Sequence, residues 1–215
     1  MGIFFFYKTL FIILAYLFGA FPTAYVLYRI RRGSDIRMEG SGNVGGTNVA
    51  RTMGAGAGVL TIIIDIIKGF LPMMAVYFIF AGDLLMASLA SVAVILGHDF
   101  PVYLKFKGGK GISTSFGVII GMCAFPFTVQ ATYFRIAPIF TILVTAALFF
   151  LIFKIVSVSS IAAAVATPLS FYFFKFPTII VITAAIWGFL ALIAHRGNIG
   201  RLIRKEEKKI NRKGV

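Results

Sequence analysis

The sequence predicts an all-α polytopic membrane protein of about seven transmembrane helices. Three observations carry this. The chain of 215 residues is 60% hydrophobic and only 13% charged, whereas soluble domains are about half apolar and a quarter charged. Apolar runs recur from end to end, most of them near the roughly 20 residues that one crossing takes. The basic residues cluster in alternate connections between those runs. The whole of 1–215 reads as one integral membrane domain, with no internal repeat and no low-complexity tail.

The first span covers 4–29. Lys8 is the only charge ahead of its core and no small-residue cleavage site follows, so it reads as a retained helix, not a leader. The second covers 53–80 and holds Asp65 and Lys68 one turn apart. Ionisable groups at membrane depth default to function, although an i,i+3 ion pair also accounts for this spacing. The third and fourth, 83–98 and 112–126, are short. Short spans tilt less or end in polar loops that dip into the membrane under protein cover. The fourth contains Cys123, the single cysteine; no internal disulfide is possible, and the thiol reads as a small buried apolar group. The last three spans are 136–154, 158–174 and 177–195. Ser157, Ser159 and Ser160 stand at the start of the sixth, as helix caps or as phosphate donors.

Orientation follows from the basic residues. One side collects Arg29, Arg31, Arg32, Arg37 and Arg51, then Lys105, Lys107 and Lys110, then Lys154, then the series from Arg196 to Lys213. The other side has Lys8, Arg135 and Lys175. An odd number of crossings puts the N-terminus outside, the C-terminus in the cytoplasm and every basic loop inside. The same alternation brings the loops rich in Gly, Asn, Ser and His to the cytoplasmic face. The net charge of +14 therefore reads as a topology signal and an attraction to anionic headgroups. Nucleic acid is not an expected partner, because no soluble domain carries the charge.

Three polar constellations lie on that face. The first is GSGNVGGTNVAR, Gly40 to Arg51. Its glycines let main-chain N–H groups converge, Asn48 or Thr47 can cap the following helix, and a helix start with a glycine-rich lead-in is an anion site. Arg51, expected in the first turn, adds a bidentate phosphate grip. A plain capped turn explains part of this stretch, but not two Asn, a Ser, a Thr and so many glycines.

The second is GHDFPVYLKFKGGKGIST, Gly97 to Thr114. It is no Walker loop, because Gly111 and not Ser or Thr follows Lys110, and no strand precedes it. Gly108, Gly109 and Gly111 still allow a main-chain nest around an anion, with Lys110 as a point charge. Phe100, Tyr103 and Phe106 fit a bilayer interface. An ordinary positive-inside loop explains Lys105 and Lys107 but not three glycines around Lys110. The third is AHRGNIGRLIRKEEKK, Ala194 to Lys209. His195 ends the last apolar run, where a cation is favoured, and Asn198 and Arg201 follow on a loosely shared face. Arg204, Lys208, Arg212 and Lys213 read as a basic tail on lipid headgroups.

SGNVGGTN with Arg51, GHDFPVYLKFKGGKG, and HRGNIGRL with Glu207 and Lys209 beyond together resemble the three motifs of bacterial acyl-phosphate:glycerol-3-phosphate acyltransferases. The likeness extends over nearly the whole chain, and the second motif is the most specific. It implies transfer of a fatty acyl chain from acyl phosphate to the 1-hydroxyl of glycerol 3-phosphate. The products are lysophosphatidic acid and phosphate, in bacterial phospholipid synthesis at the inner membrane. It implies Ser41, Asn43, Thr47, Asn48 and Arg51 in the first site loop, Lys110 in the second, Ser157 from the serine loop, and His195, Asn198 and Glu207 from the third. Three positions depart from the family pattern: Gly46 for an alanine, Ala20 for a serine, and Lys205 for a glycine.

The residues suit such chemistry. A developing oxyanion needs donors, from Asn48, Ser41 or the glycine-loop amides. A departing phosphate needs a cation, Lys110 or Arg51. The attacking hydroxyl must lose a proton, and His195 is a candidate base; acyl phosphate is already activated, so positioning can suffice without one. No H-x-x-x-x-D pair follows His98, where Tyr103 stands. The expected catalytic set is Lys110, Asn48, Ser41 and His195. The expected binding set is Asn43, Thr47, Arg51, Gly108, Gly109, Gly111, Ser157, Asn198 and Glu207. No cofactor and no metal are expected, and a monomer is expected. A carrier of phosphate esters would show pseudo-symmetry and broken spans near midplane, and a purely structural subunit would leave the glycine loops unexplained.

Overall fold

The computed structural model describes residues 2–125 and 132–209. Among them the structure is helical throughout: α1 (Gly2–Ala20), α2 (Thr23–Arg32), α3 (Gly46–Met53), α4 (Ala55–Ile79), α5 (Leu84–Asp99), α6 (Ile112–Ala124), α7 (Thr132–Phe153), α8 (Val156–Phe173), α9 (Thr178–Ala194) and α10 (Arg196–Ile203). Arg212 and Lys213 of the basic tail, and part of the connection ahead of α7, lie outside the described residues.

The seven expected segments correspond to α1 and to α4 through α9, with three differences. The first breaks at Pro22, which has no N–H to continue the helix. The second begins only after Gly54, whose φ of +92° ends α3. The third continues through a 3-10 turn at Val102–Leu104 and is longer than expected, 21 residues over Leu84–Leu104. Five segments of the described residues are long and apolar enough to cross a membrane, and α9 with α10, bent by 60° at His195, makes a sixth. Helix α6 has 13 residues and so reaches about 20 Å, against about 30 Å of hydrocarbon.

Small residues set the packing. A side chain on Gly69 would strike the Thr114 carbonyl, and one on Gly117 the Ile66 carbonyl, so α4 and α6 touch backbone to backbone. Gly19 and Gly97 do the same for α1 and α5, against Val94 and Tyr16. Close approach through small residues is how apolar helices associate where no water drives them together. Met73, Val76, Met86, Val94, Phe171 and Trp187 fill the space between, and the Trp187 indole N–H donates to Ser91 Oγ at 3.1 Å. Large side chains such as Phe4, Phe5, Ile63, Leu151 and Phe189 stay exposed on the outside, a surface suited to lipid. At one end Lys8 pairs with Asp83 at 2.6 Å. At the other, a smaller cluster of Ala24, Tyr28, Ile36, Val44, Val49 and Leu104 seats the loops of the site.

Candidate active site

The first loop is shaped by Asp35, whose carboxylate accepts from the Arg37 N–H at 2.9 Å and pairs with its guanidinium at 2.6 Å. Arg37 also donates to the Leu104 carbonyl at 3.2 Å, joining the first loop to the second. Asn48 is buried, and its Oδ1 accepts from the Ser41 N–H at 2.8 Å while Nδ2 donates to the Glu39 carbonyl at 3.0 Å. It does not cap α3, and neither does Thr47: the residue ahead of that helix is Gly45, which has no side chain to accept. Arg51 lies in the last turn of α3, not the first, because the helix starts at Gly46. The sequence placed the helix start too late because glycines were assigned to the loop.

In the second loop, Gly108 N–H donates to the Asp99 carbonyl at 3.2 Å and Gly109 N–H to the His98 carbonyl at 3.1 Å. Those amides are therefore committed to the end of α5 and not to an anion. The glycines are required by contact: a Cβ on Gly108 would collide with Pro101 and the His98 carbonyl, and one on Gly109 with the His98 imidazole. At Gly111 φ is +66° and a Cβ would stand 2.7 Å from Asp99 Oδ1. The N–H groups left for an anion are those of the first turn of α6, which have no partner within a helix.

The third loop turns at His195. Its Nδ1 lies 2.8 Å from the Ala191 carbonyl, and because a carbonyl only accepts, Nδ1 carries the proton and Nε2 is left as an acceptor. Beyond it, Lys110 Nζ donates to Asn198 Oδ1, and Asn198 Nδ2 donates to Glu207 Oε1. Ser157 Oγ donates to the same Glu207 oxygen at 2.8 Å, and Arg201 Nε to the other at 2.6 Å. Burial pushes the Glu207 carboxyl up, but the bonds from Asn198, Ser157 and Arg201 outweigh it and hold the group below 4.5. Burial holds the Lys110 ammonium below 10.5, against the opposing charge of Glu207 and with Arg201 and Arg51 adding to the shift. Ser159, by contrast, donates to the Ala146 carbonyl at 2.6 Å and serves the α7–α8 contact.

These loops enclose one cavity of about 1280 Å³, and all of Ser41, Asn43, Thr47, Asn48, Arg51, Gly108, Gly109, Lys110, Gly111, Ser157, His195, Asn198 and Glu207 line it. Sequence reasoning did not place Arg37, Asp65, His98 and Asp99 there, yet they line it as well, as does Ser160, which reads from the sequence as a helix cap or phosphate donor. Asp99 forms floor beneath Gly111, with neither carboxylate oxygen hydrogen-bonded among the described residues. Beside it Asp65 Oδ1 accepts from Thr23 Oγ1 at 2.9 Å and pairs with Lys68 at 3.0 Å. The i,i+3 pairing was legible; its meeting with His98 and with the break at Pro22 was not, although a proline inside an apolar span marks a freed carbonyl.

A family model described as Glycerol-3-phosphate acyltransferase matches residues 9–205. A glycerol-3-phosphate acyltransferase of Endomicrobium trichonymphae is 38% identical over 203 residues, covering 94% of this chain and 96% of that one. One of Bacillus subtilis (strain 168) is 37% identical over 201 residues, covering 94% and 96%. Among solved structures, PlsY (YgiH), described as an integral membrane glycerol 3-phosphate acyltransferase, is similar in its glycerol 3-phosphate form. The TM-score is 0.85 at 31% identity, over 95% of this chain and 96% of that one. Its lysophosphatidic acid form gives a TM-score of 0.81. These matches run nearly the full length of a helical, apolar chain, and this multi-pass membrane protein belongs to the glycerol-3-phosphate acyltransferase family.

Proposed function

We propose that the protein transfers a fatty acyl group from acyl phosphate to the 1-hydroxyl of glycerol 3-phosphate, releasing lysophosphatidic acid and inorganic phosphate. The observation that carries this is the single cavity in which Lys110 and the start of α6 face Ser41, Arg51 and the His195 loop. Both substrates are phosphate esters or anhydrides, and the cavity is lined by Lys110, Arg51, Arg201 and the start of α6, cations and N–H groups suited to phosphate. The hydroxyl oxygen attacks the acyl carbonyl carbon, the bond from that carbon to the phosphate oxygen breaks, and phosphate leaves. Lys110 and Arg51 neutralise phosphate charge; Ser41, Asn43 and Thr47 position substrate, and the glycine loop, Gly108 to Gly111, sets Lys110 and the start of α6 against it. Asn48 contributes by holding the Ser41 amide, since its own amide is occupied by main chain. Glu207, Asn198 and Ser157 orient Lys110. The proton passes to a phosphate oxygen of the acceptor, with His195 Nε2 orienting the hydroxyl.

The chain acts as one domain, 1–215, as a monomer in the bacterial inner membrane. Seven crossings place the N-terminus outside and the site toward the cytoplasm. Supporting that topology, the connections after α2, α5 and α9 and the first turns of α8 all line the one cavity, as alternation of seven spans requires. The test uses purified protein with acyl phosphate and labelled glycerol 3-phosphate, without acyl-CoA or metal. Lysophosphatidic acid is expected. Its absence removes the reading, and equal activity with acyl-CoA removes the donor assignment.

A further inference from the structure

We propose that Lys68, buried in α4 and outside the three motifs, is a positioning residue that sets the Gly108–Gly111 loop through His98. An ammonium has three protons to donate. Lys68 Nζ meets three acceptors: Asp65 Oδ1 at 3.0 Å, the Phe21 carbonyl at 3.0 Å and His98 Nδ1 at 3.0 Å. The Phe21 carbonyl lies at the break between α1 and α2, where it accepts from the Thr23 N–H at 3.1 Å and keeps a second lone pair for Lys68. With Nδ1 accepting, the imidazole proton sits on Nε2 and the ring is fixed in rotation.

That ring is the surface on which Gly109 lies, since a Cβ there would collide with Nε2. The His98 carbonyl holds Gly109 N–H and the Asp99 carbonyl holds Gly108 N–H. Lys110 follows directly. The chain of contact thus runs from Lys68 to the His98 ring, to Gly109, to the cation of the cavity. Stability alone does not call for this arrangement, because apolar side chains replace a buried ion pair at little or no cost. Placement does call for it: an error of about 1 Å in a positioning group costs about a hundredfold in rate.

The inference rests on the acyl-transfer reading for its kinetic test but not for its structural one. The variant pair Asp65→Asn with Lys68→Met removes both buried charges together. Hydrogen exchange at Gly108 and Gly109 is expected to rise about tenfold or more, with protection in α5 and α9 retained; unchanged exchange in the loop overturns the proposal whatever the activity. In the transfer assay, Lys68→Met is expected to lower kcat/KM about thirtyfold in the wild-type background and less than about threefold in Lys110→Met, because the two act through one group. Equal losses in both backgrounds mean a merely structural residue and overturn it. Wild-type protein without activity removes the function reading instead, and the exchange result still decides this one. Where the pair does not fold, Thr23→Val loosens Asp65 by one hydrogen bond, and the same exchange shift, smaller in size, is expected; none overturns the proposal.

Discussion

Lys110 Nζ donates to Asn198 Oδ1, 88 residues further along the chain. The bond ties the glycine loop at the start of α6 to α10, and through Asn198 it connects the cation to Glu207. A lysine in this position is aimed, not free to sweep the cavity. Replacing Lys110 by Met is expected to reduce kcat/KM about 10²–10³-fold, the usual cost of one lost charge-stabilising donor. Lys110→Arg recovers little, because a planar fork does not substitute for a compact point charge. Steady-state kinetics decide it, and a Met variant within about threefold of wild type removes Lys110 from the transfer step.

The alkaline limb of the pH profile tests the surroundings of that ammonium. Burial lowers its pKa from 10.5, Glu207 opposes the shift, and Arg201 and Arg51 add to it. Activity that needs the cation is present below the lowered value and lost as pH rises through it. Arg51→Gln removes a lowering charge and is expected to move the limb to higher pH. Glu207→Gln removes a raising one and moves it to lower pH. Profiles of kcat/KM from about pH 7 to 11 check both directions, and parallel movement of the two variants contradicts the assignment.

Glu207 also links stability to pH. Its carboxyl is held below 4.5 in the fold, so the unfolded chain binds the proton more readily. The contribution is present above 4.5 and is lost as pH falls through the lower, folded value. Glu207→Gln is expected to be less stable at neutral pH and to show a shallower decline of Tm between about pH 5 and 3. Thermal unfolding in detergent measures it; identical slopes for the two proteins refute the linkage.

His195 is placed to orient, with Nδ1 bound to Ala191. His195→Gln is expected to lower kcat about tenfold while acceptor affinity stays within about threefold, below the 10²–10⁴-fold of a general base. A loss of several orders of magnitude in turnover at unchanged affinity makes His195 the base and overturns proton transfer to the acceptor's phosphate.

Packing sets the last expectation. Gly117→Val places a branched side chain against the Ile66 carbonyl where α4 and α6 touch. Overpacking of this kind costs about 1–3 kcal/mol, read as a lower Tm, whereas Gly56→Ala, with open space beyond it, leaves Tm unchanged or raised.

Composition and charge made the helical membrane class legible, and the glycine- and asparagine-rich loops marked the cavity walls. The sequence read three glycines as an anion nest; two of them are there because the loop lies against His98 and Pro101. That was hidden, since glycine for close contact and glycine for turning look alike in one dimension. The helix break at Pro22 was passed over because apolar composition continues across it, and the short helix that ends at Gly54 because the glycines at its start read as loop. Asp65 and Lys68 read as a local pair; that Thr23, Phe21 and His98 complete the set depends on how α1 and α5 cross at Gly19 and Gly97, which no local pattern states.

The charges that line the cavity act at longer range than any bond described above. Arg37, Arg51, Lys105, Lys107, Lys110, Arg196, Arg201 and Lys208 face Asp35, Asp65, Asp99, Glu206 and Glu207 there, eight cations against five carboxyl groups. With low-dielectric walls around it, such an imbalance focuses field lines outward through the mouth and raises the local concentration of anions. A small doubly charged solute arriving from water is drawn in, and inorganic phosphate is drawn in as well. In the reaction proposed above, the amphiphile that forms has a tail for the exposed apolar flanks of the helices, so it has a second phase to leave into. On that reading capture is electrostatic and release is hydrophobic, and the two ends of a turnover respond to different solution conditions.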